Sequence, residues 1–186
     1  LVRQAKAKGL PVPCEVAPHH FTLTEEACRK YDTNSKMSPP LRTHEDLELI
    51  KEGLRDGTID IIATDHAPHD LADKQVEFSK ACFGIVGLET ALPLTLKMVD
   101  EKVITLQKAV DLLTHQPCRI LNLDKGPLGV GKDADIVIFN PKTKYTIEPE
   151  KFKSRSKNSP YKGWKVRGKI LHTLVAGKTV YSSYNE

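Results

Sequence analysis

No C-x-x-C pair occurs among the four cysteines at positions 14, 28, 82 and 118. That spacing excludes a zinc-finger type of site and reads as reduced thiols in a cytoplasmic protein. No apolar run approaches the ~20 residues of a membrane span, no signal peptide is visible, and no internal repeat is present. A strong charge of one sign is also lacking. Lys and Arg total 28 against 24 Asp and Glu, and a net charge of +4 does not by itself imply nucleic acid. The chain lacks an initial Met, and no capping residue precedes the helical pattern "LVRQAKAKG", which Gly9 ends. The expectation is a chain that starts inside a helix, as the C-terminal part of a longer protein. What is there is 186 residues, 39% apolar and 28% charged, enough for one core and a small second domain.

Residues 10–21 read as a strand and a loop. Thr24 is a candidate cap for a short helix, and Pro39 and Pro40 keep 35–42 a loop. Thr43 and Asp46 have capping-box spacing at the head of a helix. Its apolar face is Leu47, Ile50 and Leu54, and Gly57 follows its end. "TIDIIAT" (58–64) is a strand, 68–83 a charged loop without a period, and 87–101 and 105–115 two helices, with Pro117 opening a short third. Helices alternating with strands predict an α/β protein with parallel strands and crossover helices. Near Gly126 the character changes. Residues 134–139 read as a strand, and "KILHTLVAGKTVYSS" as two strands joined at Ala176-Gly177. The division is therefore 1–125 and 126–186, the second a small β unit. Residues 151–169 hold eight basic side chains and no acidic one, with Tyr161 and Trp164 between them. The stretch is short and carries no nucleic-acid motif, so it reads as a solvated loop whose aromatics pack on the domain.

The stretch "ATDHAPH" carries the chemistry. Asp65, His66 and His69 fall where an apolar strand stops and a loop begins, the edge at which α/β proteins build active sites. A carboxylate and imidazoles at such a place can bind metal or move protons.

Five motifs in order, "CEVAPHHF", "SPPLRT", "DGTIDIIATDHAPH", "FGIVGLETALPL" and "GVGKDADIVIFNP", resemble the C-terminal part of the dihydroorotase family of amidohydrolases. The resemblance runs nearly from end to end. It implies the last two strands, with their helices, of a (β/α)8 TIM-type barrel, plus a small C-terminal β domain. It implies reversible hydrolysis of the cyclic amide of dihydroorotate to N-carbamoyl-aspartate, in pyrimidine biosynthesis. Zinc is the implied cofactor, in a binuclear centre in the whole enzyme. The residues themselves leave open the number of metals and the bridging ligand, a carboxylated Lys or an Asp.

By position, the resemblance makes Asp65 both a metal ligand and the catalytic proton shuttle. It makes His69 a substrate-binding residue and carries backbone contacts with the substrate ring to Phe83 and Gly84. Ser38 stands where the family's "NPPLR" has a substrate-binding Asn, and Cys82 where Pro is usual. His66 has no implied role beyond structure. His19 and His20 are structural too, because the family's metal-binding histidines would precede Leu1. The implied partner is the small-molecule substrate, without nucleic acid or membrane. A homo-oligomer or an association with aspartate transcarbamoylase is compatible. Two other readings stay open: an allantoinase or dihydropyrimidinase, and a non-catalytic scaffold, against which the retained Asp65 and His69 argue. Residues 68–82, tethered between His69 and Phe83, are expected to be a mobile lid.

Overall fold

In the computed structural model, which describes residues 1–184, the first helix, α1 (Val2–Ala7), is held by its last turn. Lys6 Nζ donates to Asp60 Oδ2 at 2.6 Å and to the Thr58 carbonyl at 2.8 Å. The same Asp60 oxygen accepts the Cys14 N–H at 2.8 Å. These bonds fix the N-terminal ends of β1 (Glu15–Val16) and β2 (Ile61–Ile62), which pair in parallel, Glu15 opposite Ile61 and Val16 opposite Ile62. The ladder is shorter than the 58–64 strand predicted.

Directly after β1 comes α2 (Pro18–Thr22), where the sequence suggested a loop. Proline fits the first turn of a helix, since its missing N–H has no partner to lose there. α3 (His44–Asp56) forms as predicted. Thr43 Oγ1 accepts the Asp46 N–H at 3.2 Å and donates to Asp46 Oδ2 at 3.0 Å, and Gly57 ends the helix at φ +83°. α4 (Leu71–Lys74) is a single turn inside the expected loop. α5 (Ala91–Asp100), α6 (Leu106–Leu113) and α7 (His115–Ile120) follow, and α7 starts two residues before Pro117. The core gathers Phe21, Leu54, Ile62, Ile85, Leu94, Met98 and Leu112 around the strand pair. Among the described residues, no helix is long and apolar enough to cross a membrane.

The C-terminal segment forms one antiparallel sheet in the order β3 (Ile136–Thr146), β4 (Lys165–Val175), β5 (Lys178–Ser182). β3 runs past the predicted 134–139, and the ladder breaks between Asn140 and Lys144, the irregularity that admits Pro141. Ala176 and Gly177 turn the chain with φ of +48° and +76°, as a two-residue hairpin of the primed type needs. The sheet meets α5 at Gly168. A Cβ there would lie 2.2 Å from Leu96 Cδ1, and φ is +99°, so only glycine allows the approach. Arg167 Nε adds bonds of 2.7 and 2.9 Å to the two oxygens of Asp100.

Between β3 and β4, Tyr161 is fully buried. Its ring meets Trp164 edge-on at 5.0 Å, its hydroxyl lies 3.0 Å from Thr22 Oγ1, and burial raises its pKa. The aromatics of the basic segment thus serve the core.

Candidate functional site

The C-terminal ends of β1 and β2 carry the residues singled out in the sequence. Asp65 follows β2 with φ +48°, a left-handed conformation uncommon outside glycine but tolerated by Asp. Its carboxylate is exposed and has no hydrogen-bond partner among the described residues. The next residue is the opposite case. His66 Nδ1 accepts the Gly87 N–H at 3.0 Å and the Leu88 N–H at 3.4 Å. A ring nitrogen that accepts carries no proton, so His66 is held with its hydrogen on Nε2. The contact needs Gly87, where a Cβ would sit 2.6 Å from the Thr64 carbonyl oxygen.

A chain of hydrogen bonds joins the other candidates. The Ala67 N–H donates to the Ile85 carbonyl at 2.8 Å, beside a parallel bridge from His66 to Ile85. His69 Nε2 lies 2.8 Å from the Phe83 carbonyl oxygen. The Gly84 N–H donates to the Lys36 carbonyl at 2.8 Å, which draws the segment ending in exposed Ser38 alongside. Gly84 has φ +94°, and a Cβ there would lie 2.6 Å from Ala67 Cβ. These bonds bring His69, Phe83 and Gly84 into one connected cluster at the end of the β2 loop, with Ser38 on the adjoining segment and without a hydrogen bond to it among the described residues. They also occupy both backbone groups of Gly84. Among the described residues, Phe83 N–H is the one amide of that pair without a partner.

Three residues that organise this cluster were not singled out in the sequence. Lys74 is 5% exposed, and its Nζ donates to the Cys82 carbonyl at 2.8 Å and the Gly84 carbonyl at 3.1 Å. Burial holds its pKa below the usual lysine range. Lys36 Nζ donates to the carbonyls of Ser79 at 2.8 Å and Ala81 at 2.7 Å and lies 4.5 Å from the centre of the Phe83 ring. Asn158, 7% exposed, bonds to Ala67, His69 and Gly84. Residues 68–82 are accordingly tied down rather than structureless. A charged run without a period gave no sign of this, because its buried member is an amine satisfied by carbonyls.

His19 lies in the core, 1% exposed, 4.3 Å ring to ring from His20, and burial, with the neighbouring His20, lowers its pKa to about 3. His20 Nε2 is 3.1 Å from the Pro39 carbonyl oxygen. Potential ligand atoms of His69, Asp73 and Cys82 lie within 4.8 Å of one another, the one such group among the described residues. It does not include Asp65, and the His69 Nε2 contact with Phe83 competes with it. A groove of about 340 Å³ lined by Thr22, His44, Lys51 and Glu101, among others, shares no residue with the cluster. Its Glu101 pairs with Lys51 at 2.9 Å and Lys97 at 3.0 Å.

Residues 2–180 match the model of the amidohydrolase family. The chain is 52% identical over 181 residues to a dihydroorotase of Geobacter metallireducens and 53% identical over 183 residues to one of Geobacter sp. strain M21, covering 97% and 98% of this chain. It spans 43% of the length of each of these relatives. Among solved structures it superposes on an L-hydantoinase (dihydropyrimidinase) from Arthrobacter aurescens, with a TM-score of 0.91 at 31% identity over 97% of this chain and 42% of that one. It also superposes on a dihydropyrimidinase from Brevibacillus agri, with a TM-score of 0.91 at 26% identity over 97% and 41%.

Proposed function

The chain belongs to the amidohydrolase family, and from that premise we propose that it forms one side of a dihydroorotase active site. The reaction is the reversible, metal-dependent hydrolysis of the ring amide of dihydroorotate to N-carbamoyl-aspartate. The observation that carries the reading is the contrast at the end of β2: Asp65 is partner-free, while His66, His69 and Gly84 around it are tied into place. The β1–β2 pair with its helices is read as the last two strands of a (β/α)8 barrel, the fold whose chemistry sits at the C-terminal ends of its strands. The antiparallel sheet is read as the small flanking domain, residues 126–186.

An exposed carboxylate with no intramolecular partner fits a zinc ligand, and Asp65 is the residue of this chain that would hold the metal. Zinc, when bound, supplies Lewis-acid activation that lowers the pKa of water toward ~7. The same carboxylate can take the proton of the attacking water and return it to the departing ring nitrogen. His69 keeps Nε2 on the Phe83 carbonyl, which leaves Nδ1 as the ring nitrogen for the substrate's carboxylate. Phe83 N–H is free to donate to the ring, while Gly84 supplies the close approach and spends its own groups on the scaffold. Ser38 offers a hydroxyl from the adjoining segment.

A dihydropyrimidinase-type activity is the second reading, favoured by the superpositions on enzymes of that kind. The identities there are 31% and 26%, against 52% and 53% for the dihydroorotases. A substrate panel decides between them. The full-length enzyme is expected to open dihydroorotate with a kcat/KM well above that for dihydrouracil or hydantoin. Faster opening of either neutral ring overturns the dihydroorotase reading.

A further inference from the structure

Asn158 lies in the segment between β3 and β4, yet every partner of its side chain is at the candidate site. Its Nδ2 donates to the Ala67 carbonyl at 3.0 Å and the Gly84 carbonyl at 3.3 Å, and its Oδ1 accepts the His69 N–H at 3.3 Å. Its own carbonyl accepts the Val86 N–H at 3.1 Å. One buried amide therefore bonds the loop after β2 on two residues and the Phe83–Gly84 segment on a third. The neighbouring side chains have other tasks: Ser159 Oγ accepts the Tyr161 N–H at 3.4 Å, and the Tyr161 hydroxyl meets Thr22.

We infer that Asn158 is a positioning residue for substrate binding: it sets the spacing between the loop that carries Asp65 and His69 and the segment that carries Phe83 and Gly84. The inference deepens the proposed function and rests on it for the identity of the site. The chemistry needs an amide. Asn offers two donors and an acceptor from one short side chain. An Asp of the same shape would turn an oxygen toward two carbonyl oxygens, and a Ser reaches at most one of the three partners. The Gly84 carbonyl is also held by Lys74 Nζ at 3.1 Å, so the segment stays anchored on one side when Asn158 changes. Its distance to the His69 loop is then what is lost.

Hydrogen exchange and steady-state kinetics on the full-length enzyme test this. In Asn158→Asp, exchange of the 66–70 and 83–87 segments should quicken at least ~10-fold while α3 keeps its wild-type protection. KM for dihydroorotate should rise about tenfold, with kcat changed less, because the loosened partners are binding groups. Thr22→Val, which removes the Tyr161 partner nearby, should cost thermal stability and leave KM alone. If Asn158→Asp does not accumulate as folded protein, Asn158→Ser carries the same measurements. Unchanged exchange in both segments overturns the inference, and so does a variant that loses melting temperature while its KM stays at the wild-type value. Should the wild-type enzyme open no dihydroorotate, the functional reading falls, and the exchange result alone decides the positioning role.

Discussion

The two ends of the β1–β2 pair are built on opposite terms. At the N-terminal end, Asp60 is half-buried and bonded, taking Lys6 Nζ at 2.6 Å and the Cys14 N–H at 2.8 Å on one oxygen. At the C-terminal end, five residues later, Asp65 is exposed in a left-handed conformation without a partner. Two carboxylates flanking one strand thus differ in every respect that separates a structural from a reactive group. Satisfied polar groups contribute to folding, whereas a free carboxylate in a sparsely populated backbone region is held there by its surroundings and is open to a ligand. The lesson is that residue type and strand position say little until the bonding of each group is counted.

Exchanging the two carboxylates in turn is the sharpest way to break this contrast, and the largest effect is expected there. In the full-length enzyme, Asp65→Asn should lower dihydroorotate turnover by at least ~10²-fold, the low end for losing general base catalysis, with a melting temperature near wild type. Asp60→Asn should do the reverse. It loses the charge-assisted bond from Lys6, costing on the order of 1–3 kcal/mol of stability, while turnover per folded molecule is kept. Turnover of Asp65→Asn within a few-fold of wild type, or an Asp60→Asn enzyme that is stable but slow, would erase the distinction.

His19 sharpens the comparison on the site side, where burial leaves its Nε2 without a hydrogen-bond partner among the described residues. Its pKa is lowered to about 3 by burial and, second, by His20, against ~6.5 in an unfolded chain. Below pH ~6.5 the unfolded state binds a proton that the folded state refuses until about pH 3. Stability is therefore lost as pH falls through that window, by up to ~1.4 kcal/mol per pH unit from this group, and is untouched above it. Urea unfolding of the full-length protein between pH 7 and pH 4.5 reads the slope. His19→Leu cannot take up that proton and should flatten it. Equal slopes for the two proteins would mean that His19 is protonated in the folded state.

How much of this was legible follows from where each signal lies. α3 was readable because cap, apolar face and terminal Gly57 all sit within one short stretch. The β4–β5 hairpin was readable because Ala176-Gly177 stands between two apolar runs. Asp65 and His69 stood out by their place after an apolar strand. α2 was missed because Pro18 was read as a loop residue, although it opens the helix. Lys74 and Asn158 carry no periodic signal at all. A lysine in a charged run looks solvated, and an amide whose partners lie 74 to 91 residues away shows its role only when the chain is folded. Pattern along one element predicts which face is buried, not which distant carbonyl a buried donor will find.

Ser38 gives the smallest expected effect and tests how rigid the site end is. The Gly84 N–H bond to the Lys36 carbonyl at 2.8 Å and the buried Met37 hold its segment beside Phe83, so a longer side chain at 38 is delivered from a fixed backbone. Asn offers two donors and an acceptor where Ser offers one hydroxyl on a shorter reach. One recovered hydrogen bond contributes ~0.5–1.5 kcal/mol, which is about a 2- to 12-fold lower KM for dihydroorotate. If the contact is made equally with substrate and transition state, kcat should not move. Steady-state kinetics of Ser38→Asn in the full-length enzyme measure both. A higher KM would show that the cluster has closed around serine and that the position no longer accepts the larger side chain.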